Sequence, residues 1–379
     1  MPTERRSPIE RVLRTSCHFR ITVLLSGMFI NGIGTAVPTS RYTQQECWEA
    51  LRVSPLFTQL NSRAQAITRK VLTGNCGIAT RHLALDPLMD AFDMTPDTLH
   101  RRFVQTAPAL ATKAAQQALQ RSGITAHEIG GLIISTCTGY LCPGLTSYVS
   151  EQLGLPANAI CLDLVGQGCG AALPNLRTAE ALIRSGSAQH ILCVCVEICS
   201  AAFYLDNDPG VLISACLFGD GAAAAVVSAA PLPGQRRVRW LANETVLKPQ
   251  HRDELRFEQR GGMLFNILKP SVSKLAATTA EEVLDRALAT AEKSRVDIRA
   301  WNFHPGGRDV LLALRAQLDL SDADLQHSAD VLREFGNISS PSVLFVLDAT
   351  LRNNAPAGLW WMASFGAGFT SHGALLEVS

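Results

Sequence analysis

The sequence predicts an α/β fold built from two similar halves, and three observations predict it. Strand-like runs alternate with helix-like runs along the chain, which implies mixed, mostly buried sheets. One set of landmarks occurs twice in the same order. Hydrophobic residues make up 47% of the 379 positions and the net charge is only +1. A large interior is therefore available, and the composition is unlike that of a disordered chain.

Taken in order, the first twenty or so residues are Arg-rich and match no element. The run Ile21 to Ile30, interrupted by Ser26 and Gly27, reads as a buried first strand. A secretory leader would need a small-residue cleavage site after it, and none follows. No run approaches the roughly 20 apolar residues of a membrane span. Next, Ala107, Leu110, Ala111, Ala114, Ala115, Ala118 and Leu119 mark one face of a helix ending in Arg121-Ser-Gly-Ile124. The strand Gly131–Thr136 follows and stops before Gly139. In the second half, Val283, Leu284, Ala287, Leu288 and Ala291 mark a matching helix. It leads through Lys293-Ser-Arg-Val296 to a strand at Ala300-Trp-Asn-Phe303, which stops at His304-Pro-Gly-Gly307.

The correspondence continues. Gln152-Leu-Gly-Leu155 answers Gln317-Leu-Asp-Leu320, and each precedes a turn that opens a helix. Those turns are Gly166-Gln-Gly-Cys-Gly170 and Gly336-Asn-Ile-Ser-Ser340. Phe218-Gly-Asp-Gly221 and Phe365-Gly-Ala-Gly368 each lead into a last strand. The duplication divides the chain into an extension (1–20), a first subdomain (21–232) and a second (233–379). Packed face to face, the halves bring their helix-opening turns together on a pseudo-twofold axis.

With Lys+Arg at 34 and Asp+Glu at 33, the chain has no basic surplus for a nucleic-acid partner. The eleven cysteines include no CxxC pair, so neither a zinc site nor a disulfide framework is indicated. Most read as reduced, structural cysteines of a cytoplasmic protein. Cys193 and Cys195 alternate along a buried strand and share one face.

Cys169 is different. It lies between two glycines immediately before the helical stretch Ala171–Ile183, where the backbone dipole lowers a thiol pKa. A neighbouring imidazole would lower it further and supply a thiolate at neutral pH. Among the histidines, His304 opens a turn fixed by Pro305, with Gly306-Gly307 leaving room for a ligand. Asn337 could cap the helix beginning near Ser342 or donate its amide N–H to a developing oxyanion. Cys, His and Asn also serve thiol proteases, but no protease signature surrounds them. A thiolate with two donors and no carboxylate base suits decarboxylative Claisen condensation.

These motifs carry a family resemblance. From Asn31-Gly-Ile-Gly34 onward the chain resembles the type III polyketide synthases, the chalcone-synthase-like branch of the thiolase superfamily. The resemblance rests jointly on Gly168-Cys169-Gly170, Leu217-Phe-Gly-Asp-Gly-Ala-Ala-Ala224, Trp301-Asn-Phe-His-Pro-Gly-Gly307 and Gly336-Asn-Ile-Ser-Ser340. It implies a thiolase-like duplicated αβαβα layered fold and a homodimer. It also implies acyl-CoA and malonyl-CoA substrates, no cofactor and no metal. Cys169, His304 and Asn337 are then the catalytic trio.

The same resemblance assigns Phe218 and Phe265 as gatekeepers of the cavity. It makes Cys142, Cys199, Ala202 and Ser339 starter-pocket positions, with Gly306 and Gly307 beside the substrate and Cys142 on a loop that reaches the partner's cavity. Arg63, Arg69, Lys70 and Arg308 become candidates for the CoA phosphates. Ala367 and Gly170-Ala-Ala depart from the plant pattern. Small apolar pocket positions, together with the stretch Asp253–Lys269, resemble bacterial alkylresorcinol and alkylpyrone synthases and imply a long-chain fatty acyl starter. Two alternatives are an initiating ketoacyl-carrier-protein synthase performing one condensation and a non-catalytic acyl-CoA-binding relative.

Overall fold

The computed structural model describes residues 27–234 and 236–379. The extension and the start of the expected first strand, residues 21–26, lie outside the described residues.

The first half contains strands β1 (Met28–Ala36), β2 (Arg41–Thr43), β3 (Thr80–His82), β4 (Gly131–Thr136), β5 (Ile160–Val165), β6 (His190–Glu197) and β7 (Gly221–Ser228). Its helices are α1 (Gln44–Val53), α2 (Pro55–Gln59), α3 (Ser62–Thr73), α4 (Pro96–Ser122), α5 (Leu145–Leu153), α6 (Ala172–Arg184) and α7 (Pro209–Leu217). The second half adds strands β8 (Val238–Leu247), β9 (Leu255–Arg260), β10 (Met263–Leu268), β11 (Ile298–Phe303), β12 (Gly358–Gly366) and β13 (Thr370–Val378). Its helices are α8 (Val272–Ala291), α9 (Arg308–Leu318), α10 (Gln326–Phe335) and α11 (Ser342–Arg352).

Nine strands form one sheet in the order β11-β12-β13-β8-β1-β7-β6-β4-β5. The halves meet edge to edge where Met28 pairs with Trp240 and Phe29 with Arg239. Alternation along the strands then builds the layers. Cys193, Cys195, Ala223 and Ala225 of the first half join Trp360, Met362, Ala374 and Leu376 of the second in a core that also contains α6 and α11. Intervening residues such as Leu192, Val194 and Ala224 face the opposite way, onto α4. Trp361 and Leu375 face α8. Helix, one half of the sheet, the inner helix pair, the other half of the sheet, helix is the five-layer arrangement the sequence predicts.

The duplication is visible at single residues. α4 ends at Gly123 and α8 at Glu292, both left-handed, with φ of 73° and 52°. α5 and α9 end likewise at Gly154 (φ 66°) and Asp319 (φ 54°). Such caps satisfy the last carbonyls of a helix. A capped turn follows in each half, Thr125 with Glu128 and Ser294 with Asp297. The halves differ at one edge: β5 has no strand counterpart after α9.

One close approach explains the glycines of the β1 motif. A Cβ on Gly34 would lie 2.1 Å from the Ala114 carbonyl oxygen, and one on Gly32 would lie 2.5 Å from that of Ala118. The Ala-rich face of α4 and these glycines together let helix and strand touch.

Candidate active site

The two helix-opening turns meet where the inner helices begin. Cys169 sits in a short 3-10 turn ahead of α6, and Ser339 occupies the same position ahead of α11, with φ of 55°. The Ser339 hydroxyl donates to Cys169 Sγ at 3.2 Å. Nucleophile candidate and pseudo-symmetric serine therefore touch across the axis.

From Ser339 a chain of bonds reaches the other members of the trio. Ser339 N–H donates to Asn337 Oδ1 at 2.8 Å, and Asn337 Nδ2 donates to the Gly306 carbonyl at 3.0 Å. Gly306 N–H donates back to the His304 carbonyl at 3.0 Å. A Cβ on Gly306 would stand 3.5 Å from His304 Nε2, so the ring lies directly against this glycine. His304 is held by its own N–H on the Ala363 carbonyl at 2.8 Å, and its Nδ1 has no protein partner. Asn337 does not cap α11, since its side-chain oxygen serves Ser339 instead.

The main chain fixes both turns. Asn337 N–H donates to Leu217 O at 2.9 Å and Gly219 N–H to Asn337 O at 3.0 Å, which ties the Phe218 loop to the second-half turn. Gly336 allows that approach: at φ 69° its Cβ would fall 2.7 Å from Leu217 O. Behind Cys169, Ser364 Oγ donates to the Gly170 carbonyl at 3.0 Å.

A cavity enclosing about 650 Å³, open solvent at its mouth included, has Cys169, Cys199, Ala202, Phe218 and Ser339 in its wall. Phe203, Val211, Ala215 and Leu255 extend the apolar lining. His304, Asn337, Gly306 and Gly307 do not line it. His304 and Asn337 are each 3% exposed.

Other expected positions lie elsewhere. Phe265 is buried but outside the wall, against Tyr204 (ring centroids 4.9 Å apart) and beneath the Arg260 guanidinium (4.4 Å). Neighbours on a strand face opposite ways, and here Asn266 takes the cavity side, donating to Ser214 Oγ at 2.8 Å. Cys142 is exposed and absent from the cavity of its own chain. Arg63, Arg69 and Lys70 are exposed on α3. Arg308, the first residue of α9, donates to the Asn75 carbonyl and pairs with Asp309 at 3.4 Å.

The sequence reading missed a polar cluster in this wall. Cys137, which follows β4 as His304 follows β11, lines the cavity. Its thiol lies 3.3 Å from Glu197 Oε1 and 3.6 Å from Ser339 Oγ. Glu197, wholly buried, also accepts from Cys137 N–H at 3.0 Å, Thr138 Oγ1 at 2.9 Å and Ser340 Oγ at 2.5 Å. The duplicated frame was the signal available for Cys137, because it holds the first-half place of His304.

The expected lowering of the Cys169 thiol is reversed. Burial pushes it up to about 12, the Ser339 hydrogen bond opposes the rise, and the Glu197 charge adds to it. Burial likewise lowers His304 to about 4. Desolvation outweighs the hydrogen bonds that favour the thiolate, so at pH 7 the resting groups are a thiol and a neutral imidazole. Among the described residues, no group of three or more His, Cys, Asp or Glu could hold a metal ion. No described helix is long and apolar enough to cross a membrane.

Comparison with known proteins agrees with this geometry. Residues 27–231 match the N-terminal domain of the chalcone and stilbene synthases, and residues 243–378 match their C-terminal domain. The chain belongs to this family, the type III polyketide synthases. The family's members are acyltransferases working on CoA thioesters. The chain is 30% identical over 364 residues to 3,5-dihydroxyphenylacetyl-CoA synthase of Streptomyces toyocaensis, covering 92% of this chain and 89% of that one. It is also 30% identical over 366 residues to the α-pyrone synthesis polyketide synthase-like Pks18 of Mycobacterium tuberculosis, covering 92% and 91%. In fold it is similar to PKS-I of the brown alga Ectocarpus siliculosus, with a TM-score of 0.84, 24% identity, and 93% and 98% of the two chains covered.

Proposed function

We propose that this type III polyketide synthase loads a long-chain fatty acyl group from acyl-CoA onto Cys169, extends it with two or three malonyl-CoA units, and releases an alkylpyrone or alkylresorcinol. The observation that carries this reading is the position of Cys169 in the wall of a largely apolar cavity that also contains small Cys199 and Ala202. Identity does not choose a product, because relatives named for a dihydroxyphenylacetyl-CoA and for an α-pyrone stand equally near. The largely apolar lining, with small Cys199 and Ala202 near Cys169, supports an aliphatic chain over a hydroxylated aromatic one.

In this mechanism Cys169 Sγ attacks the thioester carbonyl, its proton passes to neutral His304, and the CoA thiolate leaves carrying that proton. His304 and Asn337 donate to the oxygen that becomes negative. Asn337 Nδ2 spends one N–H on Gly306 and keeps a second for this purpose. Malonyl-CoA then loses CO2, its enolate oxygen is held by the same donors, and the enolate carbon attacks the acyl thioester. The sulfur of Cys169 is expelled and later reacylated by the lengthened chain.

The working unit in this reading is a cytoplasmic homodimer. Exposed Cys142, the 70% exposed Tyr140 and the open edge of β5 support a partner contact on that side. Arg63, Arg69, Lys70 and Arg308 remain the candidates for the CoA phosphates. The test is a product assay by mass spectrometry with lauroyl-, palmitoyl- and arachidoyl-CoA plus malonyl-CoA. Alkylpyrones or alkylresorcinols are the expected products; turnover confined to aromatic or malonyl starters refutes the reading.

A further inference from the structure

A second cavity, about 500 Å³ in volume, lies under the first half's helices. Leu51 and Ala50 of α1, Leu72 of α3 and the segment Leu88–Met94 line it. It shares two wall residues with the Cys169 cavity, Phe203 and Ala215. Adjacent residues divide between the two spaces: Tyr204 lines the first and Leu205 the second. Phe203 is 9% exposed and packs in one cluster with Phe218 on the Cys169 side and with Leu88 and Ala91 on the far side.

The lining of the second cavity has one charged residue, Arg81, and its Nε and Nη1 donors are engaged within the protein. Nε donates to Gln44 Oε1 at 3.0 Å, and Nη1 donates to the carbonyls of Ala215 and Phe218, both at 2.8 Å. What remains facing the space is aliphatic, aromatic and thiol surface. Such a predominantly apolar surface would accept a hydrocarbon.

We infer that this second cavity is the seat of the distal end of the acyl starter, and that Phe203 is the partition that sets how long a chain reaches it. The inference rests on the long-chain reading above. Each methylene moved from water into the cavity would tighten binding by about fourfold, so chain-length preference should be written in this wall rather than around Cys169.

The experiment compares kcat/KM for palmitoyl-CoA and hexanoyl-CoA in the full-length protein. Ala91→Phe, which fills the second cavity from its far side, should lower palmitoyl-CoA turnover by about tenfold or more while hexanoyl-CoA turnover holds. Phe203→Ala should raise arachidoyl-CoA turnover relative to hexanoyl-CoA. Because Phe203→Ala also opens a core cluster, a third arm uses the unaltered protein and a palmitoyl-CoA analogue with a terminal diazirine. Photolabel on the peptide containing Leu88 to Met94 supports the seat; label confined to β9 and β10 overturns it. Equal effects of Ala91→Phe on both starters, or none on either, also overturn it. A wild-type enzyme that rejects palmitoyl-CoA fails the long-chain reading itself, and the seat falls with it.

Discussion

The turns Gly166–Gly170 and Gly336–Ser340 are the same structural device put to different chemistry. Each opens an inner helix, each begins with a glycine at positive φ (82° and 69°), and each is gripped by the opposite half. One carries a sulfur and the other a hydroxyl, joined by a single hydrogen bond. A second pair of equivalent positions differs likewise, with Cys137 after β4 on one side and His304 after β11 on the other. Duplication supplies a frame with paired positions, and divergence at those positions turns a symmetric contact into one with a thiol on one side and a hydroxyl on the other.

The largest effect that would sharpen this contrast comes from the sulfur. Cys169→Ala should lower chain formation by ~10³ or more while circular dichroism stays unchanged; retained product would end the asymmetry. On the donor side, Asn337→Ala should cost roughly 10² to 10³ in kcat, since one oxyanion donor is lost. A rise in KM alone would reduce Asn337 to a binding contact.

A smaller effect concerns acid stability. His304 and His372 are both buried, and burial lowers each to about 4. A depressed imidazole contributes stability that is complete above its ordinary pKa of about 6.5 and lost as pH falls toward 4. His372 pairs with Thr245 at 2.9 Å and lies behind Gly170. Its share of the loss should be about 3 kcal/mol between pH 7 and pH 4. Urea melts of wild type and His372→Gln should therefore differ in pH slope over that window, with the variant flatter; parallel slopes would place the acid sensitivity elsewhere. The smallest effect is at the bridge itself. Ser339→Ala removes a bond that lowers the Cys169 thiol, worth about 1 kcal/mol, so alkylation of Cys169 by iodoacetamide should slow by several-fold.

Much of this was legible in the sequence because the signals are local. Helix faces and the glycine turns depend on neighbours within a few residues, and their repetition identified the frame. Cys169, His304 and Asn337 stood out as candidates for the same reason, each standing at a landmark. What escaped depends on the far side of the fold. Phe265 and Asn266 could have exchanged faces without altering the pattern of their strand. The direction of the Cys169 shift required knowing how completely the turn is buried, and local reasoning saw only the helix dipole and a neighbouring imidazole. Cys137 looked like one of many structural cysteines until the frame placed it opposite His304.

The central claim is that acyl transfer begins on the sulfur of the first-half turn. Intact-protein and peptide mass spectrometry after brief incubation with palmitoyl-CoA alone tests it directly. The account predicts one palmitoyl group, carried as a thioester on the peptide containing Cys169 and removed by hydroxylamine. A palmitoyl group on Cys137 instead, or a protein that stays unmodified while still making product with malonyl-CoA, would contradict it.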